Sequence, residues 1–310
     1  MAVTAELVKK LREMTGAGMM DCKKALSATD GDMDKAVNFL REKGLAGAQK
    51  KAGRIAAEGI VDTLVSEDGH NAVAVEVNAE TDFVAKNEKF RNYVREVAKQ
   101  VLVTKADGMD AFFEETWAGD PTLTVKQELS SMISIIGENM NIRRFKQIHE
   151  KNGFVESYIH AGGRIGVLVD IETDVVNDAV REMAKNIAMQ TAALKPLYTD
   201  PSEVDQDYLT KEKDILMQQA KNEKPDANEK ILSGMVMGRL NKELKEICLV
   251  DQIYVKAEDG KQTVQKYIEE VAKANGAKIS VKGFVRFETG EGLEHKNENF
   301  AEEVAKQMQK

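Results

Sequence analysis

The amino-acid sequence predicts an α+β fold, in which a small helical domain precedes a duplicated core of strands and helices. Apolar residues recur at helical spacing near the start of the chain, and from about residue 60 they alternate as in β-strands. A hairpin-like segment occurs twice, and a long charged helical stretch interrupts the second copy. We therefore divide the chain into residues 1–54, 55–142, 143–290 and 291–310.

Residues 1–54 are predicted to form three helices and a linker. Gly31 separates the second helix from the third and Gly44 ends the third, because glycine readily adopts the left-handed conformation found at helix C-termini. Residues 45–54 are small and basic with little to bury, which indicates a linker. The apolar positions of the three helices are Leu7, Val8 and Leu11, then Cys22, Ala25 and Leu26, then Ala36, Val37 and Leu40.

The first half of the core is predicted to be a β-hairpin covered by helices. Residues 60–65 and 72–77 alternate in hydrophobicity, and residues 67–70 supply turn chemistry between them. The other predicted elements of this half are helices at about 87–103 and 124–139 and a strand at 142–148.

The second half of the core begins with a repeat of that hairpin. Residues 59–84 align with residues 153–176, which are two residues shorter, and we place the difference near the hairpin turn. Both copies end in Glu-Thr-Asp, after which the first has Phe83 and the second has Val175. A helix follows each copy, the second at about 177–192, so the core is predicted to be a fused pseudo-twofold pair.

A charged, mostly helical arm at about 196–247 is predicted to interrupt the second half. Its helices, at about 203–222 and 226–247, would pair as an antiparallel hairpin or coiled coil, with prolines 196, 201 and 225 at its joints. Such an arm suits association with a partner or with a second copy of the chain. In the second case, the chain would form a homodimer through the arm. Its predicted apolar stripe comprises Leu209, Ile215, Leu216, Ile231, Met235, Leu240 and Leu244.

The end of the chain is predicted to complete the second unit and add a helical module. A helix at about 263–274 precedes a strand at 279–287. After Asn297 a terminal helix is predicted, because Phe300, Val304 and Met308 are four residues apart.

The composition favours a protein partner over a nucleic acid. Asp and Glu total 52 against 44 for Lys and Arg, so the formal net charge is -8. Cys22 and Cys248 have neither a disulfide framework nor metal-site spacing, and we find no signal peptide or membrane-spanning stretch. We therefore expect a cytoplasmic protein that contacts no membrane.

Catalytic motifs are absent from the sequence. No phosphate-binding glycine loop, dinucleotide fingerprint, HExxH or GxSxG occurs, and the histidines at 70, 149, 160 and 295 lack metal-ligand spacing. We expect a binding protein, not an enzyme, with no metal and no cofactor.

The junction around Phe83 allows two interpretations. Asp82 and Asp174 could cap the helices that follow them, with Phe83 in the core. Alternatively, a polar turn before a helix exposes Phe83, which would be a hot spot for a partner.

Four motifs carry a resemblance to a known family. They are LREMTGAGMMDCKKAL at 11–26, EVNAETDFVAKN at 76–87, IGENMNIRR at 136–144 and GFVRFETGEG at 283–292. In this order they resemble the elongation factor Ts family over essentially the whole chain. The resemblance implies a guanine-nucleotide exchange factor that binds elongation factor Tu, both GDP-bound and nucleotide-free.

The resemblance also implies roles for particular residues. Residues 1–54 would be a domain of the ubiquitin-associated (UBA) type that docks on the nucleotide-binding domain of Tu through Arg12, Met19 and Met20. On their own, the two methionines could be core residues, but adjacent helical positions point about 100 degrees apart, so one at least should be available.

A second contact region is implied by the same resemblance. The loop of Thr81, Asp82, Phe83 and Val84 would enter Tu beside its magnesium ion, with Phe83 as a wedge and Asp82 disturbing the groups that hold the ion. Ile136 and His160 would contact Tu near its phosphate-binding loop. His160 could equally be a satisfied strand histidine, although its counterpart in the first copy is Ser66.

Overall fold

A computed structural model describes residues 3–294 of the chain. The predicted terminal helix, with Phe300, Val304 and Met308, lies outside the described residues. The helices are α1 (Ala5–Thr15), α2 (Met19–Ala28), α3 (Met33–Lys51), α4 (Asp82–Ala85), α5 (Glu88–Val103), α6 (Met109–Glu114), α7 (Val125–Ile136), α8 (Asp178–Leu194), α9 (Gln206–Glu223), α10 (Glu229–Ile247) and α11 (Val264–Asn275). The strands are β1 (Glu58–Val65), β2 (Asn71–Ala79), β3 (Met140–His149), β4 (Gly153–His160), β5 (Ile165–Thr173) and β6 (Ile279–Glu288). Helices and strands thus share the chain, as an α+β fold requires.

Helices α1, α2 and α3 form the N-terminal three-helix module. Thr4 caps α1 and Asp32 caps α3 through side-chain oxygens that accept backbone amides. The predicted end of the third helix at Gly44 and the linker at 45–54 are wrong, because α3 continues to Lys51. The small residues Gly44 and Ala48 are buried in this extension, and a Cβ at Gly44 would make an ordinary van der Waals contact of 3.7 Å with the carbonyl oxygen of Ser130 in α7. Gly44 therefore lies inside a helix that packs on α7 and does not end it.

The core of residues 55–294 contains two antiparallel three-stranded sheets, ordered β1-β2-β3 and β4-β5-β6. Alternate residues of β2, namely Val73, Val75 and Val77, face α5 and α7 in one apolar core. Val167, Val169 and Ile171 of β5 do the same toward α8 and α11. Each unit is therefore a sheet covered by helices on its outer face.

The inner faces of the two sheets pack against each other. Ala72 and Ala74 of β2 are fully buried there with Val155 of β4 and Leu168 of β5. Gly166 leaves room for Val61, since a Cβ at residue 166 would lie 2.4 Å from Cγ1 of Val61. The small inner residues let the sheets approach closely.

A buried carboxylate also joins the two sheets. Glu76 of β2 is fully buried and accepts hydrogen bonds from Arg143 at 3.0 Å and Arg144 at 2.5 Å. It also accepts the backbone amide of Gly290, just beyond β6, at 2.8 Å. Hydrogen bonds on several sides offset the desolvation penalty of this buried charge.

One sequence expectation needs adjustment in the core, and one segment contains a helix for which no prediction was made. The predicted boundary at 142/143 falls inside β3, which pairs with β2 from Met140 to His149, so the first unit extends through β3. The acidic segment near 105–120 contains the unpredicted helix α6, and Phe112 and Trp117 are buried in the first core. Their burial explains why this segment is folded.

Helices α9 and α10 form the predicted antiparallel arm. Tyr208 at the start of α9 donates a hydrogen bond to Glu243 near the end of α10, and Arg239 pairs with Glu223 at 2.5 Å. Ile215 and Ile231 do not belong to the packed stripe, because both are about half exposed. The buried seam instead comprises Leu216, Ala220, Leu232, Val236 and Leu240. Within residues 3–294, no helix is long and apolar enough to cross a membrane.

Candidate functional site

The segment around Phe83 is a single helical turn, α4, and not the predicted loop. Thr81 caps it, since the Thr81 hydroxyl accepts the amide of Val84 at 3.4 Å. The prediction that Asp82 and Asp174 cap the following long helices is wrong: Asn87 caps α5 and Asn177 caps α8. Asp82 is the first residue of α4. We call residues 81–85 the tip.

Phe83 is 80% exposed, so its placement in the core, one of the two interpretations above, is wrong. The neighbouring Val84 and Ala85 are buried in the first core. One helical turn directs successive side chains about 100° apart, so burial of Val84 and Ala85 turns Phe83 outward. The tip therefore presents one large apolar ring to solvent.

The strand registers show where the two copies differ. Ile60 pairs with Val77 and Phe154 pairs with Ile171, and an irregularity directly precedes Val77 and Ile171 in both sheets. Equal pairing means that the hairpin turns have equal length, so the predicted length difference at the turn is wrong. The difference lies after the second strand.

The connector between strand and long helix is where the extra residues lie. It spans residues 80–87 in the first unit and residues 174–177 in the second. By register, Thr173 corresponds to Ala79, so the Glu-Thr-Asp triplets of the two copies are not structurally equivalent. Helix α4 is therefore present in the first unit and has no counterpart in the second.

Two acidic side chains fix the base of the tip. Glu138, beyond the end of α7, accepts the Thr81 amide at 3.0 Å and the Thr81 hydroxyl at 2.8 Å. Glu80 accepts the amide of Asn139 at 2.6 Å and pairs with Arg54 at 3.3 Å. The turn after α7 and the tip thus hold each other in place.

Arg91 connects the tip to the hairpin that carries His160. Its guanidinium donates to the carbonyl of Ala85 at 3.2 Å and to that of Gly162 at 3.0 Å. His160 is exposed at the end of β4, and its Nδ1 lies 3.0 Å from the hydroxyl of Tyr158. The structure thereby brings His160 to the tip's side of the core.

The remaining predicted contact residues lie toward the three-helix module. Arg12 and Met19 line a shallow cavity of about 500 Å³ together with Lys89, the second residue of α5. Met19 is 48% and Met20 61% exposed, so neither is a core residue. Ile136, the last residue of α7, is half-buried against the first core. The end of α7 therefore lies between the module and the tip.

The tip carries a charge as well as a ring. Lys86 donates to the carboxylate of Asp82 at 2.6 Å, and this hydrogen bond holds the pKa of Asp82 below its ordinary value. Asp82 is therefore ionised at neutral pH. Over residues 3–294, no group of three or more His, Cys, Asp or Glu side chains is placed to hold a metal ion.

Glu138 and Arg91 were not singled out from the sequence. Glu138 lies inside the motif at 136–144, directly after the glycine that ends α7, but its partner Thr81 is 57 residues away. The pairing of β2 with β3 brings these two segments together. A difference between the two copies at this position is the one signal that could have identified Glu138.

Comparison with known proteins places the whole chain beside one group. A sequence profile of the family described as Elongation factor TS matches residues 80–291. Elongation factor Ts of Clostridium novyi (strain NT) is 54% identical over 307 residues, which cover 99% of this chain and 99% of that protein. Elongation factor Ts of Clostridium tetani (strain Massachusetts / E88) is 54% identical over 308 residues, which cover 99% of this chain and 100% of that protein.

Proposed function

The chain belongs to the elongation factor Ts family, and we propose that it is the guanine-nucleotide exchange factor of elongation factor Tu in translation elongation. It would bind Tu carrying GDP, promote release of the GDP, and leave Tu free to bind GTP. The observation that carries the proposal is the exposure of Phe83 on a turn whose base is anchored. A ring this exposed contributes little packing to the fold and suits insertion into a partner.

Phe83 would act as a wedge. Burial of one exposed phenylalanine contributes roughly 1.5 to 3 kcal/mol, which can be gained only in a Tu conformation that opens a pocket for the ring. Binding of that conformation shifts Tu away from the one that holds GDP. Burial of the Phe83 ring would thus favour the Tu conformation that does not hold GDP.

Asp82 would act on the magnesium ion of Tu. Mg²⁺ requires near-ideal octahedral geometry and bridges phosphate oxygens, so a small shift of its protein ligands weakens its hold on the nucleotide. An ionised carboxylate next to the wedge can attract or repel the groups that arrange those ligands. In the free chain this carboxylate is paired with Lys86, and it is ionised at neutral pH with or without that partner.

The tip alone supplies too little free energy for exchange. A thousandfold mutual weakening of nucleotide and exchange factor requires about 4 kcal/mol of coupling. The remainder would come from a wide contact surface that includes Arg12, Met19 and Met20 on the module, with Ile136 and His160 on the core. These residues anchor Tu, and the tip selects its nucleotide-free conformation.

This activity requires no catalytic residue of the chain itself. Exchange breaks no covalent bond, so contacts that favour one conformation of Tu are sufficient. We propose that the protein acts without a cofactor, in the cytoplasm, and without direct binding of nucleic acid or membrane.

Release of a fluorescent GDP analogue from Tu tests the proposal. We expect the wild-type chain to accelerate release strongly, and Phe83→Ala to lose most of the rate while most of the Tu affinity is kept. Val176→Ala is the matched control, because Val176 is an exposed apolar residue in the equivalent connector of the second unit.

The main rival is an adaptor whose three-helix module binds a protein while the core is only a scaffold. An adaptor would bind Tu without changing the release rate. Wild-type chain that leaves the rate unchanged would therefore refute the exchange function, and equal loss of affinity and rate in Phe83→Ala would make Phe83 a simple anchor.

A further inference from the structure

We propose that Glu138 is a positioning residue for exchange, which holds the tip so that Phe83 is presented to Tu. This inference rests on the proposed exchange function and assigns a role to a side chain that need not touch Tu.

Both carboxylate oxygens of Glu138 are used on one residue of the tip. Oε2 accepts the Thr81 amide at 3.0 Å, and Oε1 accepts the Thr81 hydroxyl at 2.8 Å. The same hydroxyl accepts the amide of Val84. The carboxylate therefore fixes the rotamer of the residue that caps α4, and through it the first turn of the tip.

Comparison with the second unit shows which contacts near the tip are common to both units and which occur only beside the tip. Helices α7 and α11 each span twelve residues, follow a threonine cap, and end at a left-handed glycine, Gly137 or Gly276. Glu80 accepts the amide of Asn139, and at the corresponding position Asp174 accepts the amide of Lys278 at 2.8 Å. This pair is common to both units, so it belongs to the fold.

Glu138 has no such counterpart. The residue after Gly276 is Ala277, which has no side-chain acceptor, and the second unit has no helical turn between β5 and α8. A unit of this fold therefore forms without a carboxylate here. Glu138 occurs in the unit that has α4, which associates its contact with the tip and not with the sheet.

A helix of one turn needs such external support. Formation of the first turn fixes several backbone dihedrals for little hydrogen bonding, so an isolated four-residue helix is unstable in water. Arg91 holds the last carbonyl of α4 and Glu138 holds its cap, at opposite ends of the turn. Without Glu138 the tip would sample conformations in which Phe83 is misdirected, and each such conformation lowers the competent fraction.

The experiment combines exchange kinetics with double variants in the full chain. We expect Glu138→Ala to lower the maximal GDP-release rate at saturating concentration roughly tenfold, as for loss of charge-assisted hydrogen bonds, with nearly unchanged Tu affinity and melting temperature. Glu138→Gln should restore most of the rate. The carbonyl oxygen of glutamine can accept a hydrogen bond from the Thr81 amide, and its NH2 group can donate one to the Thr81 hydroxyl. Glu67→Ala, at an exposed carboxylate of the β1–β2 turn, is the control.

Two further variants identify the path of the effect. Thr81→Val removes the hydroxyl at constant shape, and combined with Glu138→Ala it should cost far less than the product of the two single losses. In the Phe83→Ala background, Glu138→Ala should add less than a twofold loss.

The outcomes distinguish failure of this inference from failure of the proposed function. Wild-type chain that does not accelerate release refutes the exchange function. If wild type is active and Phe83→Ala is not, then an unchanged rate in Glu138→Ala, a loss of affinity alone, or full independence from Thr81 and Phe83 would each overturn the positioning role.

Discussion

The amide of Val61 donates a 2.7 Å hydrogen bond to the carbonyl of Gly163. The bond crosses from the first strand of one unit to the hairpin turn of the other. The amide of Val155 donates the equivalent hydrogen bond to the carbonyl of Gly69 at 2.8 Å. Val155 lies 94 positions after Val61, and Gly69 lies 94 positions before Gly163. The two units are therefore joined reciprocally, as expected for a fused pseudo-twofold pair.

Gly166→Ala should weaken this junction. The added Cβ would lie 2.4 Å from Val61 in the packed space between the sheets, and relief of such a clash costs about 1 to 3 kcal/mol of unfolding free energy. Urea denaturation measures the change. Gly283→Ala in β6 is the control, because its Cβ would meet no atom within 4 Å. Equal stability of the two variants would show that the sheets can separate without cost.

Val84→Ala should destabilise the fold much more than Phe83→Ala. Val84 is buried, so loss of two methyl groups should lower the unfolding free energy by about 2 kcal/mol. Phe83 is exposed, and its truncation should change stability by less than about 0.5 kcal/mol. Thermal unfolding of both variants checks this pair, and a large destabilisation by Phe83→Ala would contradict the exposed placement of the ring.

The fold was largely predictable because long elements follow hydrophobic periodicity. The core helices, the hairpins and the antiparallel arm occur close to their predicted positions. The errors arose where a local rule met tertiary packing. Gly44 has the residue type of a helix end, but it is buried in the interior of α3, which packs on α7.

The geometry around the predicted contact residues was not predictable from the sequence. A matching Glu-Thr-Asp in both copies favoured an alignment that the strand registers contradict, since a short motif can recur at non-equivalent positions. The tip turn could not be predicted because four residues carry no periodicity, and because its support from Glu138 depends on a contact 57 residues apart in sequence.

Lys86→Met should raise the pKa of Asp82 toward the ordinary value for aspartate. The hydrogen bond from Lys86 is the main cause of the lowered pKa, and methionine keeps the side-chain length without the charge. Carbon-13 NMR titration of the Asp82 carboxyl measures the shift. Because Asp82 stays ionised at pH 7.5 in either case, the exchange rate there should remain within about twofold. An unchanged pKa would show that the ion pair does not persist in solution.

Glu128 should make stability depend on pH at the junction of the module and the core. It lies on α7 in the cleft between them, near Asp120 and Arg41, where Arg41 of α3 also pairs with Asp120 at 3.2 Å. Burial is the main cause that raises the pKa of Glu128 to about 7, the charge of Asp120 adds to it, and Arg41 opposes it. Between the ordinary glutamate pKa and about pH 7, Glu128 therefore keeps its proton in the folded chain and has released it in the unfolded chain.

The sign of the pH effect follows from this difference. Below about pH 4.3, the ordinary glutamate pKa, both states hold the proton, and the stability due to protonated Glu128 is fully present. It is lost as pH rises through about 7, because the folded state must then hold a charge in the cleft. Glu128→Gln, which cannot ionise, should match wild type near pH 4.5 and exceed it by about 1 to 2 kcal/mol at pH 8.5, once solvent screening is allowed for. Urea denaturation at the two pH values tests this, with Glu67→Gln on the exposed turn as control, and a stability difference independent of pH would contradict it.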